Sequence, residues 1–450
     1  MRGYFRTVAA AALLALACDP PPSTAQAAAT QPVPHAPEAG RSLRFDLPGV
    51  RIGVAEYEEG PTGATVFHFP RPVMVAVDVR GGAPGTINTD ALRLAYDEPF
   101  VDAITFAGGS SYGLSVATGV AEALRDGRED AGALANIATV AGAIIFDLGP
   151  RRFSTVTPDA ELGRAALAWA REGLFPLGAI GAGRFATQGG YFGRRTYSGQ
   201  GGAFRQIGPT RVAVFTVVNA LGHVVDRSGR VARCPGSAPD DCGTIAAAID
   251  GRLRALAPEG ERPGNTTLTL VLTNQRLAPW ALQRLAVQVH MAMGRAIQPF
   301  ATTNDGDVLF AATTGEVDNP TLPIEDLGLL ASEAAWDAVL ASVPALDPPA
   351  AAGPLPDESR LRGYAGSYEL APGMRVTMSY ESGRLWALGP DRANLYLPQR
   401  EPVALEPTGP ADFRIPGPRG DRLRFERVRG RVVGLAINPG HWPVRARRLP

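Results

Sequence analysis

Between Gly264 and Thr273 a loop rich in Pro and Gly turns without transition into the β-branched apolar run Thr266-Thr267-Leu268-Thr269-Leu270-Val271-Leu272-Thr273. Such a run fits a buried strand, and it makes a strand begin at or beside Thr266. A threonine at that place sits at a strand mouth beside its own main-chain nitrogen, which is the geometry of a nucleophile. We read Thr266 in that way. Two plainer readings stand beside it: a strand-opening threonine, and a glycosylation acceptor, since Asn265-Thr266-Thr267 matches N-x-[ST].

From about Leu43 to Ala345 short apolar strands alternate with helices. Val73–Val79 reads as a strand ending at Gly81-Gly82-Ala83-Pro84-Gly85-Thr86, where the backbone must bend tightly. Val101–Phe106 runs into Gly108-Gly109-Ser110-Ser111-Tyr112-Gly113 and then a helix through Leu124. Thr157-Pro158-Asp159 starts a helix reaching Glu172, with Thr as cap and Pro in the first turn. Further strands are expected over Val212–Val218, Thr267–Thr273 and Val308–Ala312, with helices over Ala281–Ile297 and Ile324–Ser342. The expectation is one α/β domain over 43–343, its sheets covered by helices. A linker rich in Pro and Ala follows over 344–357, and 358–450 changes to short alternating strands such as Arg375–Tyr380, Gly383–Leu388 and Leu423–Val428. That texture is a small antiparallel β domain.

Charge narrows the chemistry. With 44 basic and 44 acidic residues the chain has no net charge to draw it to nucleic acid or an anionic membrane. Every basic residue is Arg and none is Lys, which removes Schiff-base, Ser-Lys and P-loop-lysine mechanisms. Arg2 and Arg6 ahead of the apolar stretch Val8–Ala17 read as an export signal too short to span a membrane, cleaved after Ala27. Cys18 offers the alternative of a lipid anchor, and residues 28–42 form a disordered tether. The protein is thus expected in the periplasm or secreted. There Cys234 and Cys242, which bracket a turn-rich segment, pair as a disulfide. Zinc would need two further ligands, and His35, His68, His223, His290 and His441 show no metal spacing, so no metal or cofactor is expected. His290 lies in the helical pattern Leu282, Leu285, Ala286, Val289, Met293 and reads as a packed helix residue.

A set of short strings in order carries a resemblance: Gly49-Val50-Arg51-Ile52-Gly53, Gly81–Thr86, Ala107–Leu114, Ile144-Ile145-Phe146-Asp147-Leu148, Gly181-Ala182-Gly183, Val217-Val218-Asn219-Ala220, Asn265-Thr266-Thr267-Leu268 and Asn304-Asp305-Gly306-Asp307. Together, over Leu43 to Ser342, they resemble the L-aminopeptidase/D-esterase and β-peptidyl aminopeptidase family. The resemblance implies a four-layer αββα sandwich shared with ornithine acetyltransferases, made as a precursor that cuts itself before a Ser or Thr. Leu361–Leu370 is similar to the opening of lipocalin-like domains appended to some secreted hydrolases.

Carried over, the resemblance places the cut between Asn265 and Thr266, leaves two fragments associated, and makes Thr266 an N-terminal nucleophile whose own α-amine serves as base. Asn219 matches the family's oxyanion-stabilising amide, and Asp305 and Asp307 match residues that orient the nucleophile and amine; a tight turn before the strand at Val308 is the plain alternative for these two. Gly108, Gly109, Ser110, Tyr112 and Phe146 would line the substrate pocket. The substrate would be a short peptide or an amino-acid amide or ester, and the enzyme a homo-oligomer. In one respect the chain departs from the family: Ile144-Ile145-Phe146 is apolar where some members place a Glu and a Tyr toward the substrate's amino end, so another amide is open. Three competing readings remain: a serine esterase using Ser111 of Gly109-Ser110-Ser111-Tyr112-Gly113, with Asp147 and His223 as partners; an acyltransferase of the same sandwich; and a non-catalytic envelope-binding protein.

Overall fold

The computed structural model describes residues 31–38, 40–93, 99–133, 136–149, 154–234, 242–255, 265–343, 354–371, 373–390, 397–417, 421–438 and 443–450. The export segment, Cys18 and most of the 344–357 linker lie outside these residues. Ten strands of the large domain are joined by hydrogen bonds: β1 Arg51–Tyr57, β2 Thr62–Val79, β3 Thr86–Ile87, β4 Phe100–Ala107, β5 Val140–Ile144, β6 Arg171–Glu172, β7 Gln200–Ile207, β8 Thr210–Asn219, β9 Thr266–Gln275 and β10 Val308–Val317. Their order is β7-β8-β9-β10-β2-β4-β5-β3, with β1 between β2 and β6. The helices are α1 Ser115–Asp126, α2 Ala160–Ala168, α3 Ile245–Ala255, α4 Pro279–Ala292, α5 Ile324–Ala341 and α6 Glu358–Tyr364.

Strand β2 turns this set into two layers. Its first half, through His68, pairs with β1 and β4, while its last residues, Met74–Val79, pair with β10. Pro70 and Pro72, which cannot both sit in a regular ladder, fall where the pairing with β4 slips between His68 and Val73. The strand read as Val73–Val79 therefore starts at Thr62.

Alternation along the strands then fills three cores. Phe67, Phe106, Phe175, Phe215, Leu268, Leu270, Leu272 and Phe310 pack between the sheets, with Phe175 and Phe215 at 4.9 Å between ring centroids. Val214, Val271, Leu309 and Ala311, the intervening residues, face α4 and α5. On the far side Ala64, Val66 and Ala103 meet Val116, Val120 and Leu162 of α1 and α2. The result is helix, sheet, sheet, helix: the αββα sandwich expected. Leu270 is fully buried, so truncating it to Ala would cost about 2–5 kcal/mol.

Several boundaries differ from the expectation. Asp159, not Thr157, caps α2, its carboxylate accepting the Leu162 N–H at 3.0 Å. That helix stops at Ala168 rather than Glu172, because Arg171 and Glu172 pair with β1. Likewise α4 stops at Ala292, and Ile297-Gln298 pairs with His223-Val224.

The C-terminal strands are β11 Gly366–Ala371, β12 Met374–Glu381, β13 Arg384–Leu388, β14 Val403–Ala404, β15 Glu406–Pro407, β16 Asp412–Arg414, β17 Arg422–Val428, β18 Arg431–Ile437 and β19 Val444–Arg448. They form one antiparallel sheet, β14-β13-β12-β11-β19-β18-β17-β16-β15. The two edge strands are separated in the chain only by Leu405, so the sheet curls until its edges meet in a nearly closed barrel. Its interior is packed, with Tyr364 stacked on Phe425 at 4.0 Å beside Tyr368, Leu385, Phe413, Leu423 and Leu435. Two residues of the large domain, Phe185 and Tyr197, belong to the same core.

Candidate active site

Thr266 opens β9 and Asn219 closes β8, and the two are direct partners in the antiparallel register. Leu268 and Leu270 on one strand, Phe215 and Val217 on the other, face the gap between the sheets. The period of two therefore turns Thr266 and Asn219 into that gap as well. Both are buried.

In the unbroken chain the Thr266 hydroxyl donates to the carbonyl oxygen of Asn265 at 2.6 Å. With a C=O bond of about 1.23 Å, Oγ1 lies at most about 3.8 Å from the carbonyl carbon. The same oxygen accepts the Gly306 N–H at 2.7 Å. The peptide bond before Thr266 is thus already polarised by a main-chain donor on the side away from its nitrogen.

The Asn304–Asp307 loop lies alongside this bond, with Asn265 and Asp305 forming a parallel bridge. Asp305 Oδ2 accepts the Thr302 N–H at 2.9 Å and its hydroxyl at 2.8 Å. Asp307 accepts the Thr267 N–H at 2.6 Å and the Ala301 N–H at 2.9 Å. Burial, and then the neighbouring Asp305 carboxylate, push Asp307 up to about 8; burial also raises Asp305. Two buried carboxyls side by side hold a proton at neutral pH. Asp307 meets the chain one residue beyond the nitrogen that scission would release as an amine, at the Thr267 N–H. The turn at Gly81 straps the loop from outside: the Arg80 and Gly81 N–H groups donate to Asp307 O at 3.1 and 3.2 Å, and Ala83 N–H to Asp305 O at 2.8 Å. A Cβ on Gly81 would meet the Asp307 nitrogen at 2.3 Å, so only glycine allows this approach.

Asn219 is fixed at both ends of its amide. Its Oδ1 accepts the Thr187 N–H at 3.1 Å, and its Nδ2 donates to Phe146 O, across the gap, at 2.9 Å. An amide nitrogen has two hydrogens, so one remains for a substrate.

The Gly108–Tyr112 turn is built around Asp147, which is buried and accepts the Gly109 N–H at 2.8 Å. A Cβ on Gly108 would stand 2.5 Å from the Asp147 carboxylate. Ser110 takes φ +55° and donates its N–H to Ile145 O at 3.0 Å, while the Tyr112 ring is exposed. Phe146 contributes its carbonyl oxygen rather than its ring to Asn219. Ser111 gains no relay. Asp147 holds the glycine turn, and His223 is buried against Gln188 Oε1 at 3.1 Å and stacked on Phe192 at 5.0 Å. Burial, and then Arg194, push that histidine down to about 4. His290 packs within α4 as expected, its Nδ1 2.9 Å from Asp78 Oδ2.

Cys234 and Cys242 are bonded, with their Cα atoms 5.8 Å apart. Among the described residues no three His, Cys, Asp or Glu side chains are grouped to hold a metal, and no helix is long and apolar enough to cross a membrane. A cavity of about 550 Å3 lined by Arg80, Phe192, Met291 and Phe300 lies on the α4 side, and neither Thr266 nor Asn219 reaches it. The sequence reading missed the Gly306, Thr187 and Ala301 N–H donors. Main-chain donors leave no residue signature, although a glycine between two acids marks Gly306 in retrospect.

The profile of Peptidase family S58 matches residues 45–347, ending before the barrel. A 6-aminohexanoate-oligomer endohydrolase of Paenarthrobacter ureafaciens is 45% identical over 312 residues, covering 66% of this chain and 85% of that protein. An uncharacterized aminopeptidase of Mycobacterium bovis is 37% identical over 295 residues, covering 61% and 82%. A solved structure from Pyrococcus horikoshii OT3, at 16% identity and TM-score 0.50 over 68% of this chain and 88% of that one, shares the fold. The chain belongs to Peptidase family S58 and is an amidohydrolase of the N-terminal-nucleophile type.

Proposed function

We propose that the chain matures by cutting itself between Asn265 and Thr266, and that Thr266 is then the nucleophile of an exported amide hydrolase. The observation that carries this is the Thr266 hydroxyl held on the Asn265 carbonyl, whose oxygen also takes the Gly306 N–H. Oγ1 bonds to the carbonyl carbon, the C–N bond breaks as the acyl group passes from N to O, and water splits the ester. An Asn265 carboxylate and a free Thr266 α-amine result. That amine, with an ordinary pKa of about 8, takes the hydroxyl proton in each later turnover and passes it to the leaving amine. The remaining Asn219 Nδ2–H donates to the developing oxyanion; one such donor is worth about 10²–10³ in rate. The disulfide supports export, since such bridges persist in oxidising compartments.

The substrate we favour is an internal amide bond of a short linear aliphatic chain, as the endohydrolase relatives' names describe. Two features support it. Ile144 and Ile145 are apolar and buried at the end of β5. Asp307, on the loop beside the nucleophile, has both carboxylate oxygens occupied by main-chain donors, the Thr267 and Ala301 N–H groups, rather than open to a substrate ammonium. The Mycobacterium relatives supply the second reading, an aminopeptidase.

Denaturing electrophoresis with N-terminal sequencing tests the nucleophile: two fragments, the C-terminal one starting Thr-Thr-Leu-Thr, and a single uncut chain for Thr266→Ala. An active protein left intact at 265–266 would end the proposal. Linear 6-aminohexanoate oligomers with free and with acetylated amino ends test the substrate. Cutting of both supports internal hydrolysis, and cutting only of the free form selects the aminopeptidase.

A further inference from the structure

The C-terminal barrel contributes to the hydrolase through one continuous path. Phe185 and Tyr197 of the large domain are buried in the barrel core with Tyr368, Val376, Leu423 and Ile437. The Tyr197 hydroxyl donates to Asp421 and receives the Asn438 amide; Asn438 and Asp421 are themselves joined at 2.9 Å. Arg184, next to Phe185, donates to the Pro443 carbonyl at 3.0 Å. Between these anchors runs a small hairpin in which Tyr197 is the direct partner of Thr187. Thr187 is the residue whose N–H holds Asn219 Oδ1. From barrel to amide the path is therefore Asp421 and Asn438, Tyr197, Thr187, Asn219.

We propose that Tyr197 is a positioning residue and that the barrel aims the Asn219 amide. This rests on the oxyanion reading above. Asn219 has two fixed contacts, and they come from different places: Phe146 from the opposite sheet, Thr187 from the hairpin clamped by the barrel. A planar amide held at one end only can turn about its last torsion, which is broad and soft. With both ends held, the single free Nδ2–H has one direction. Misplacing a catalytic contact by about 1 Å costs on the order of 10²-fold, and a hairpin slackened by a lost hydroxyl moves by less, which gives about a 10-fold loss in kcat. The path acts only on the direction of the Asn219 amide, so KM should stay within about twofold.

The test uses the full-length, fully matured enzyme and a chromogenic aliphatic anilide. Tyr197→Phe keeps the ring in the barrel core and removes the hydroxyl; Asp421→Ala removes the acceptor and serves as the second variant. Both should lower kcat about 10-fold at unchanged KM. In an Asn219→Ala background Tyr197→Phe should have less than a twofold effect, because the group it aims is gone. A merely structural role predicts otherwise: a lower Tm, with the same fractional loss in both backgrounds. Either that multiplicative result or wild-type kcat in Tyr197→Phe overturns the inference while leaving Thr266 and Asn219 in their roles. Full activity of Asn219→Ala alone would instead remove the oxyanion reading, and the inference with it.

Discussion

Gly306 is the position where one added methyl group should slow maturation most plainly. Its N–H donates to the Asn265 carbonyl. A Cβ built on it would lie 2.5 Å from Thr266 Oγ1 and 2.8 Å from the Ala83 carbonyl oxygen. Reaching even 3.0 Å from Oγ1 demands a displacement of about 0.5 Å, and the Ala83 oxygen blocks one way out. Thr266 cannot simply swing aside, since a β-branched side chain is stiff at χ1 and its hydroxyl is already engaged. The loop must therefore retreat, taking the polarising N–H with it. A shift approaching 1 Å in a reacting pair costs on the order of 10²-fold, so the half-time of self-cleavage in Gly306→Ala should lengthen by about 10- to 100-fold. The assay is a quenched time course on denaturing gels. Gly294→Ala, whose Cβ meets nothing within 4 Å, is the matched control and should mature at the wild-type rate. A Gly306→Ala chain that keeps native near-ultraviolet circular dichroism and still matures with the wild-type half-time would refute the geometry argued for the scissile bond.

Ser111→Ala should cut itself and hydrolyse amides within about twofold of wild type, because nothing assembles around that hydroxyl; loss of either activity would revive the serine-esterase reading. In the uncut Thr266→Ala chain, Asp307 has its folded pKa raised to about 8 from an ordinary value of 3.8. Its proton stabilises the fold fully below about pH 4, and this contribution is lost as pH rises toward and through 8. Tm should accordingly fall over that window, and Asp307→Asn should flatten the fall; equal slopes in the two chains would count against a buried, protonated Asp307. Replacing both Cys234 and Cys242 by Ser opens a short loop, eight residues in separation, and should lower unfolding free energy by about 2–3 kcal/mol in denaturant titration, an unchanged midpoint being the contrary result.

The strand opening at Thr266 could be read from sequence because two local signals coincide there, a turn-rich loop and a β-branched run, and strand-opening positions are set by such local chemistry. The αββα layering was legible through the ordered strings of the resemblance, and each helix-facing and gap-facing core follows from alternation along β8, β9 and β10. What stayed hidden depends on pairing across the chain. Strand β2 was cut short at Val73 because Pro70 and Pro72 normally end a strand, whereas here they occupy the slip between two pairings. Helix α3 was missed because it buries little beyond Ile245 and so lacks a clear apolar stripe. Asp159 outbid Thr157 as a cap because its carboxylate reaches the Leu162 N–H. The donors onto Asn265 and Asn219 are main-chain groups, and their aim is decided by loops far away in sequence.

A single backbone, β2, is woven through both sheets. The two leaves of the sandwich are consequently stitched together by a covalent thread, and parting them means buckling that thread rather than sliding one leaf over the other. The spacing between the two leaves where Thr266 and Asn219 sit is thus set by construction.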